Sequence, residues 1–253
     1  MELAPLSSSL TARKSWFFFD DAIVFLTNGI RSTSANRIET VVNQVSTSAT
    51  LTRRNDWAHL DGVGYWFPTP VALQTSRDTR SGTWASLGGS TDTTVHTKPF
   101  VTMWLDHGVA PMNATAEYVI VPNITSSAMA TWAASRPLSI LMNNENLSAV
   151  RDDRTGNLGI TFWRAAAIEG IQSSGAAVVY ITSDAEAMHV WAADPNGNTT
   201  GTFTLTIPGN WETTDVPSRR LTRSIVLTLP RNTGQTTHVT LTRGPVRRRA
   251  LRR

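Results

Sequence analysis

The chain has 253 residues, no cysteine, and a formal net charge of +4 from 23 Lys and Arg against 19 Asp and Glu. Without cysteine there are no disulfides and no thiolate metal sites, so burial of apolar side chains must hold the fold. No stretch approaches the ~20 apolar residues that a membrane-spanning helix requires. Six arginines (Arg243, Arg247, Arg248, Arg249, Arg252 and Arg253) crowd the last eleven positions. The body is therefore close to neutral, which argues against nucleic acid as the partner of the whole protein.

The first strong pattern is Trp16-Phe17-Phe18-Phe19. Four aromatics in a row predict a central strand covered on both faces, and Asp20-Asp21 predicts a tight hairpin to Ile23-Val24-Phe25-Leu26. Asn28-Gly29 reads as the turn that ends this second strand. Arg37 to Val45 alternates and reads as a strand. Asp61-Gly62 reads as a turn before a short aromatic strand at Tyr65-Trp66-Phe67, which Pro68 stops. Val71 to Gln74 reads as a short strand, and Thr79 to Gly89 as a long loop.

Strands are predicted at Phe100 to Leu105 and Ala116 to Val121, followed by one short helix over Ser126 to Ala134 with a serine as N-cap. Further strands are expected at 138–141, 147–150, 160–164 and 176–181. Two hairpins are then expected. One joins Met188–Ala193 to Thr202–Ile207 through Asp194-Pro195-Asn196-Gly197, and the other joins Ser224–Pro230 to His238–Leu241 through Asn232-Thr233-Gly234. Many short strands with regular turn signals predict an all-β protein: an antiparallel β super-sandwich followed by a smaller C-terminal β-sandwich. Gly170 and Ser173-Ser174-Gly175 place the expected boundary between residues 1–172 and 173–242. Residues 243–253 are expected to form a disordered, solvated tail.

Chemistry is sparse. There is no Gly-x-Ser-x-Gly, Walker loop or Gly-x-Gly-x-x-Gly, and the five histidines show no metal-ligand spacing, so neither a metal nor a cofactor is expected. Neighbouring carboxylates such as Asp20-Asp21 and Asp152-Asp153 point to opposite faces of a strand and read as turn residues. Asp106-His107 reads as a strand-end turn. Arg77, Arg80 and Trp84 fall in one predicted loop, where they would offer cations and a stacking face to an acidic sugar.

Several segments, in order, carry a resemblance. Met1-Glu2-Leu3-Ala4-Pro5-Leu6, with Leu10 to Asp21, closely resembles a signature segment of polysaccharide lyase family 8, the hyaluronate, chondroitin AC and xanthan lyases. Glu39 to Gln44, Gly62 to Pro68, Ser81-Gly82-Thr83-Trp84 and Leu105-Asp106-His107-Gly108 resemble later elements of the same family. So does the segment holding Pro111, Tyr118, Val119 and Pro122-Asn123. Ala22, Thr27-Asn28 and Ala85 depart from the family pattern, which bears on fine specificity.

The resemblance implies a lyase of acidic polysaccharides whose catalytic Asn, His and Tyr lie on a preceding helical domain. No segment here resembles that domain. The chain is then expected to start inside the central sandwich, to lack a signal peptide although the family is exported to the periplasm or beyond, and to be inactive alone. Two other readings are a free-standing carbohydrate-binding module and nucleic-acid binding through the Arg tail.

Overall fold

In a computed structural model of the chain, which describes residues 1–195, 201–231 and 235–244, the polypeptide divides into two units at Arg136/Pro137. Among the described residues the architecture is strands with one α-helix and one 3-10 turn.

In the first unit the strands are β1 (Glu2–Leu3), β2 (Thr11–Phe18), β3 (Ile23–Arg31), β4 (Arg37–Ser46), β5 (Thr52–Arg53), β6 (Trp57–Leu60), β7 (Val63–Trp66), β8 (Gln74–Gly82), β9 (His96–Val109) and β10 (Ala114–Val121). They form a seven-stranded sheet, in the order β1-β2-β3-β10-β7-β6-β5, and a three-stranded sheet, β4-β9-β8. All pairings are antiparallel. The sheets share a core in which Tyr65, Tyr118 and Ala58 of the wide sheet meet Val42, Val101 and Met103 of the narrow one. The opposite face of the wide sheet carries helix α1 (Ser126–Ser135) against β6 and β7. Thr125, not a serine, caps the helix by accepting from the Ala128 N–H at 3.2 Å. The Trp132 indole donates to Asp21 Oδ2 at 2.9 Å and meets Trp66 edge-on.

The aromatic run departs from expectation. It alternates as a one-sided strand does: Phe17 is buried, whereas Trp16 and Phe18 are 40% and 68% exposed. A three-stranded sheet is too narrow to cover a seven-stranded one, and β2 lies next to its last strand. The hairpin itself forms as predicted, closed by Phe19 N–H to Ala22 C=O at 2.9 Å. Asn28-Gly29 does not end β3. Gly29 adopts φ 62° inside the strand, which continues to Arg31.

Close approach explains Gly64. A Cβ there would overlap the Met129 thioether of α1 and come within 3.1 Å of Ile124. Met129 is fully buried, so Gly64→Ala is expected to cost about 1–3 kcal/mol by overpacking, read from the urea midpoint. In a Met129→Ala background, which vacates that space at a cost of its own, the same glycine substitution should cost less.

The second unit contains β11 (Leu138–Asn143), β12 (Leu147–Asp152), β13 (Leu158–Phe162), β14 (Ala166–Ile168), β15 (Ile171–Ser173), β16 (Ala177–Ser183), β17 (Ala187–Ala193), β18 (Thr202–Pro208), β19 (Trp211–Glu212), β20 (Ser218–Arg220), β21 (Ser224–Pro230) and β22 (Thr237–Arg243). Seven of these make one sheet, β11-β12-β13-β16-β17-β22-β19, and five make the other, β14-β15-β18-β21-β20. Their inner faces form one core around Phe162, Val190, Leu205 and Leu227.

Three expectations change here. The 172/173 boundary would cut a sandwich in two, since β13 pairs with β16 and β15 with β18. Gly170 lies in a turn within it, and Ser173 ends β15 before a bend at Ser174-Gly175. The division falls instead where α1 ends, at left-handed Arg136 followed by Pro137. Neither predicted hairpin exists: β17 and β18 lie in opposite sheets, as do β21 and β22. The expected turn residues Asn196-Gly197 and Asn232-Thr233-Gly234 lie outside the described residues, as do 245–253 of the Arg-rich tail. Arg243 belongs to β22, with its guanidinium 4.7 Å from the Trp211 ring centroid.

Candidate functional site

The predicted loop at 79–89 is more ordered than its composition suggests. β8 runs through Arg80 to Gly82, pairing with β9 so that Arg80 faces Lys98 and Gly82 faces His96. A 3-10 turn (Trp84–Leu87) follows, capped by Thr83, whose hydroxyl accepts from the Ser86 N–H at 3.2 Å. Ser86 Oγ donates back to the Thr83 carbonyl at 2.7 Å, and the Ala85 N–H reaches the Asp92 carbonyl at 2.9 Å. Hydrogen bonds from Thr94 hold the Asp92 carboxyl below the usual carboxylate range. These ties fix the turn and present Trp84 with 57% of its surface exposed.

Trp84 borders an open groove of about 280 Å³, with Arg80, Leu87, His96, Lys98 and Phe100 around it. The His96 ring meets Trp84 edge-on at 6.3 Å. Arg80 lies 4.7 Å over the Phe100 ring, pairs with Asp78 at 3.1 Å and donates to Thr102 at 3.3 Å. It is a fixed, part-neutralised cation. Lys98 adds an exposed ammonium. Arg77 does not join them: three residues from Arg80 on a regular strand, it faces the other side of β8 and donates to the Ala49 carbonyl. Of the three residues singled out in the sequence, two meet in a groove and one does not. The cross-strand partners His96, Lys98 and Phe100 were missed, because a thirteen-residue connection separates β8 from β9 and hides their register.

Polar groups elsewhere are engaged in the fold. Tyr65 and Tyr118 are 2% and 6% exposed inside the first sandwich. Tyr65 receives a hydrogen bond from the Asn43 amide, and its hydroxyl is raised by burial. Burial, with Tyr65 second, pushes Tyr118 up to about 12. A raised phenol keeps its proton in the native state. Its contribution to stability is therefore complete below pH about 10 and is lost as pH rises through about 12. Urea unfolding in that range should show the loss, and Tyr118→Phe should flatten it.

Asp106 pairs with Arg37, which with the Gly108 N–H holds its carboxyl low, while burial lowers His107. His107 Nε2 lies 2.8 Å from Thr40 Oγ1. The predicted turn at 106–108 is instead part of β9. In the second unit Tyr180, Trp191, His238 and His189 form a ring-on-ring row on the outward face of the seven-stranded sheet. Among the described residues no group of three His, Asp or Glu could hold a metal ion, and no helix is long and apolar enough to cross a membrane.

Among the described residues the chain is two antiparallel β-sandwich units, the first carrying a stapled loop that presents an exposed tryptophan beside Arg80 and Lys98. Residues 1–133 match the polysaccharide lyase family 8 super-sandwich domain, and residues 139–202 match the family's C-terminal beta-sandwich domain. The chain belongs to polysaccharide lyase family 8.

Among curated relatives, the xanthan lyase of Bacillus sp. (strain GL1) is 36% identical over 193 residues, which cover 64% of this chain and 21% of the relative. The chondroitinase-AC of Pedobacter heparinus is 30% identical over 213 residues, 74% of this chain and 30% of the relative. Among solved structures, a Paenibacillus xanthan lyase superposes with a TM-score of 0.90 at 31% identity, covering 97% of this chain and 27% of that one. The Streptomyces coelicolor A3 chondroitin AC lyase, solved with chondroitin sulphate, gives 0.88 at 29% identity over 96% and 34%. The chain thus spans about a fifth to a third of the length of these relatives.

Proposed function

We propose that this chain is the β-sandwich portion of a lyase that cleaves an acidic polysaccharide of hyaluronan, chondroitin or xanthan type by β-elimination. It supports the fold and forms one wall of the carbohydrate cleft. The observation that carries this reading is the match to chondroitin AC and xanthan lyase structures along nearly the whole chain. β-Elimination requires a neutralised carboxylate, a base to take the adjacent proton and an acid for the leaving oxygen. Two of the three tyrosines are closed inside a sandwich core, out of reach of a polymer. The reading therefore assigns the chemistry to a helical catalytic domain as working partner, and assigns negligible turnover to this chain alone. It places the enzyme outside the cytoplasm, in the periplasm or beyond.

Incubation with hyaluronan, chondroitin and xanthan, followed by the ultraviolet absorbance of unsaturated product, is expected to give no rise. Clear turnover would refute the assignment of the chemistry elsewhere.

The exposure of Trp84 beside Arg80 and Lys98 favours a second reading, a free-standing carbohydrate-binding module. Glycan-array binding that Trp84→Ala abolishes, with the fold intact, would support it; a substitution at a side chain this exposed should leave stability within about 0.5 kcal/mol.

A further inference from the structure

A second groove of the first unit, remote in sequence from Trp84, has the chemistry of an anion site. β5 is the last strand of the seven-stranded sheet and pairs only with β6. The turn after it is closed by Arg54 N–H to Trp57 C=O at 2.8 Å, and the Phe67 N–H ties the facing segment to the Asp56 carbonyl at 2.8 Å. Between these walls lies an open groove of about 620 Å³. Arg53, Arg54 and Asn55 line it together with Pro70, Val71 and the buried Phe67 and Leu73.

Arg54 lies 5.8 Å over Trp57 and donates to the Arg53 carbonyl at 2.9 Å, contacts that orient its fork without neutralising it. Among the described residues neither guanidinium is paired with a carboxylate. Two adjacent uncompensated cations repel each other, and a bound anion relieves that repulsion. Guanidinium forks match the two oxygens of a carboxylate or sulfate, and an apolar wall suits the face of a sugar ring.

We propose that this groove is an acidic-sugar subsite, in which Arg53 and Arg54 hold the carboxylate or sulfate while the ring lies against Pro70 and Val71. Its ligand class rests on the acidic-polysaccharide reading above, but it shares no residue with the Trp84 groove.

The test follows the side-chain Nε–H signals of Arg53 and Arg54, and the indole N–H of Trp84, by NMR of the full chain. Three titrants are used: hyaluronan hexasaccharide with carboxylates only, chondroitin sulfate hexasaccharide with both anions, and neutral cellohexaose. Saturable shifts of both arginine signals with an acidic hexasaccharide, and none with cellohexaose, are the expected result. A response to hyaluronan assigns the carboxylate, and a response to chondroitin sulfate alone assigns the sulfate. Arg53→Ala/Arg54→Ala should weaken binding at this groove by about tenfold or more, whereas Arg53→Lys/Arg54→Lys keeps the charge, loses the fork and restores only part. Arginine signals that stay still while the Trp84 indole shifts would overturn this subsite and leave the wider reading standing. Silence of all three signals with both acidic titrants would overturn both.

Discussion

Phe162→Ala lowers the unfolding free energy by about 3–5 kcal/mol, among the largest losses expected from a truncation of the described core. Phe162 is fully buried on β13, where it stands opposite Leu147 of β12 and Ala177 of β16. Ala177 is too small to close a vacated ring site, and the strand is held by ladders on both sides. The cavity therefore persists, and its cost adds to the lost transfer free energy. The urea midpoint should fall with the slope nearly unchanged, and the amides of β12, β13 and β16 should lose hydrogen-exchange protection together. Phe162→Leu leaves a smaller void and should cost clearly less. A loss under about 1 kcal/mol for Phe162→Ala would mean that the site repacks, contrary to the sheet geometry.

Arg231→Met should cost a comparable 3–5 kcal/mol, by a different route. Asp194 follows β17, Arg231 follows β21, and their side chains meet at 2.7 Å with only 2% and 17% of their surfaces exposed. The guanidinium also lies 5.4 Å over the Phe203 ring. Removing the cation leaves a carboxylate in a water-poor site, and that desolvation penalty exceeds the worth of the pair itself. The double variant Asp194→Asn/Arg231→Met separates the two. It should recover part of the loss, because a neutral amide tolerates burial better than a carboxylate that has lost its balancing guanidinium. A double variant as unstable as Arg231→Met alone would assign the effect to the lost Phe203 contact instead.

The sequence made faces legible and left partners hidden. Thr202–Ile207 and Ser224–Pro230 alternate cleanly, and the structure buries Phe203, Leu205, Ile207, Ile225, Leu227 and Leu229 as that alternation implies. A period of two names the inward residues, but it does not say in which sheet a strand lies. A turn signal between two alternating runs looks the same whether the chain folds back along one sheet or crosses to the facing one. That ambiguity produced both false hairpins. Trp16 to Phe19 failed for a related reason: an aromatic run records apolarity, and only the width of the facing sheet decides whether both sides are covered. The boundary was misplaced because Gly and Ser serve a turn between paired strands as well as a linker, whereas Arg136-Pro137 carried the true stop. At the candidate site the sequence showed Trp84 and the arginines, and alternation along β8 could have set Arg77 apart from Arg80. Lys98, His96 and Phe100 required the β8–β9 register.

The two crossings, β17 to β18 and β21 to β22, also bear on how the second unit forms. Neither neighbouring pair can zip up locally from a turn. β17 closes locally onto β16 and β21 onto β20, but β22 and β18 must also find partners far along the chain: Ala187 stands opposite Thr242, and Gln172 opposite Thr206. Loop-closure entropy is spent on these distant ladders before their contacts stabilise anything, which places the unit among slow β folders, on the order of milliseconds to seconds. Among the described residues β22 comes last in chain order in this unit, and it lies inside the seven-stranded sheet, between β17 and β19. The unit consequently cannot close its larger sheet until synthesis has passed Arg243, so a nascent chain halted short of that point holds β17 with a bare edge.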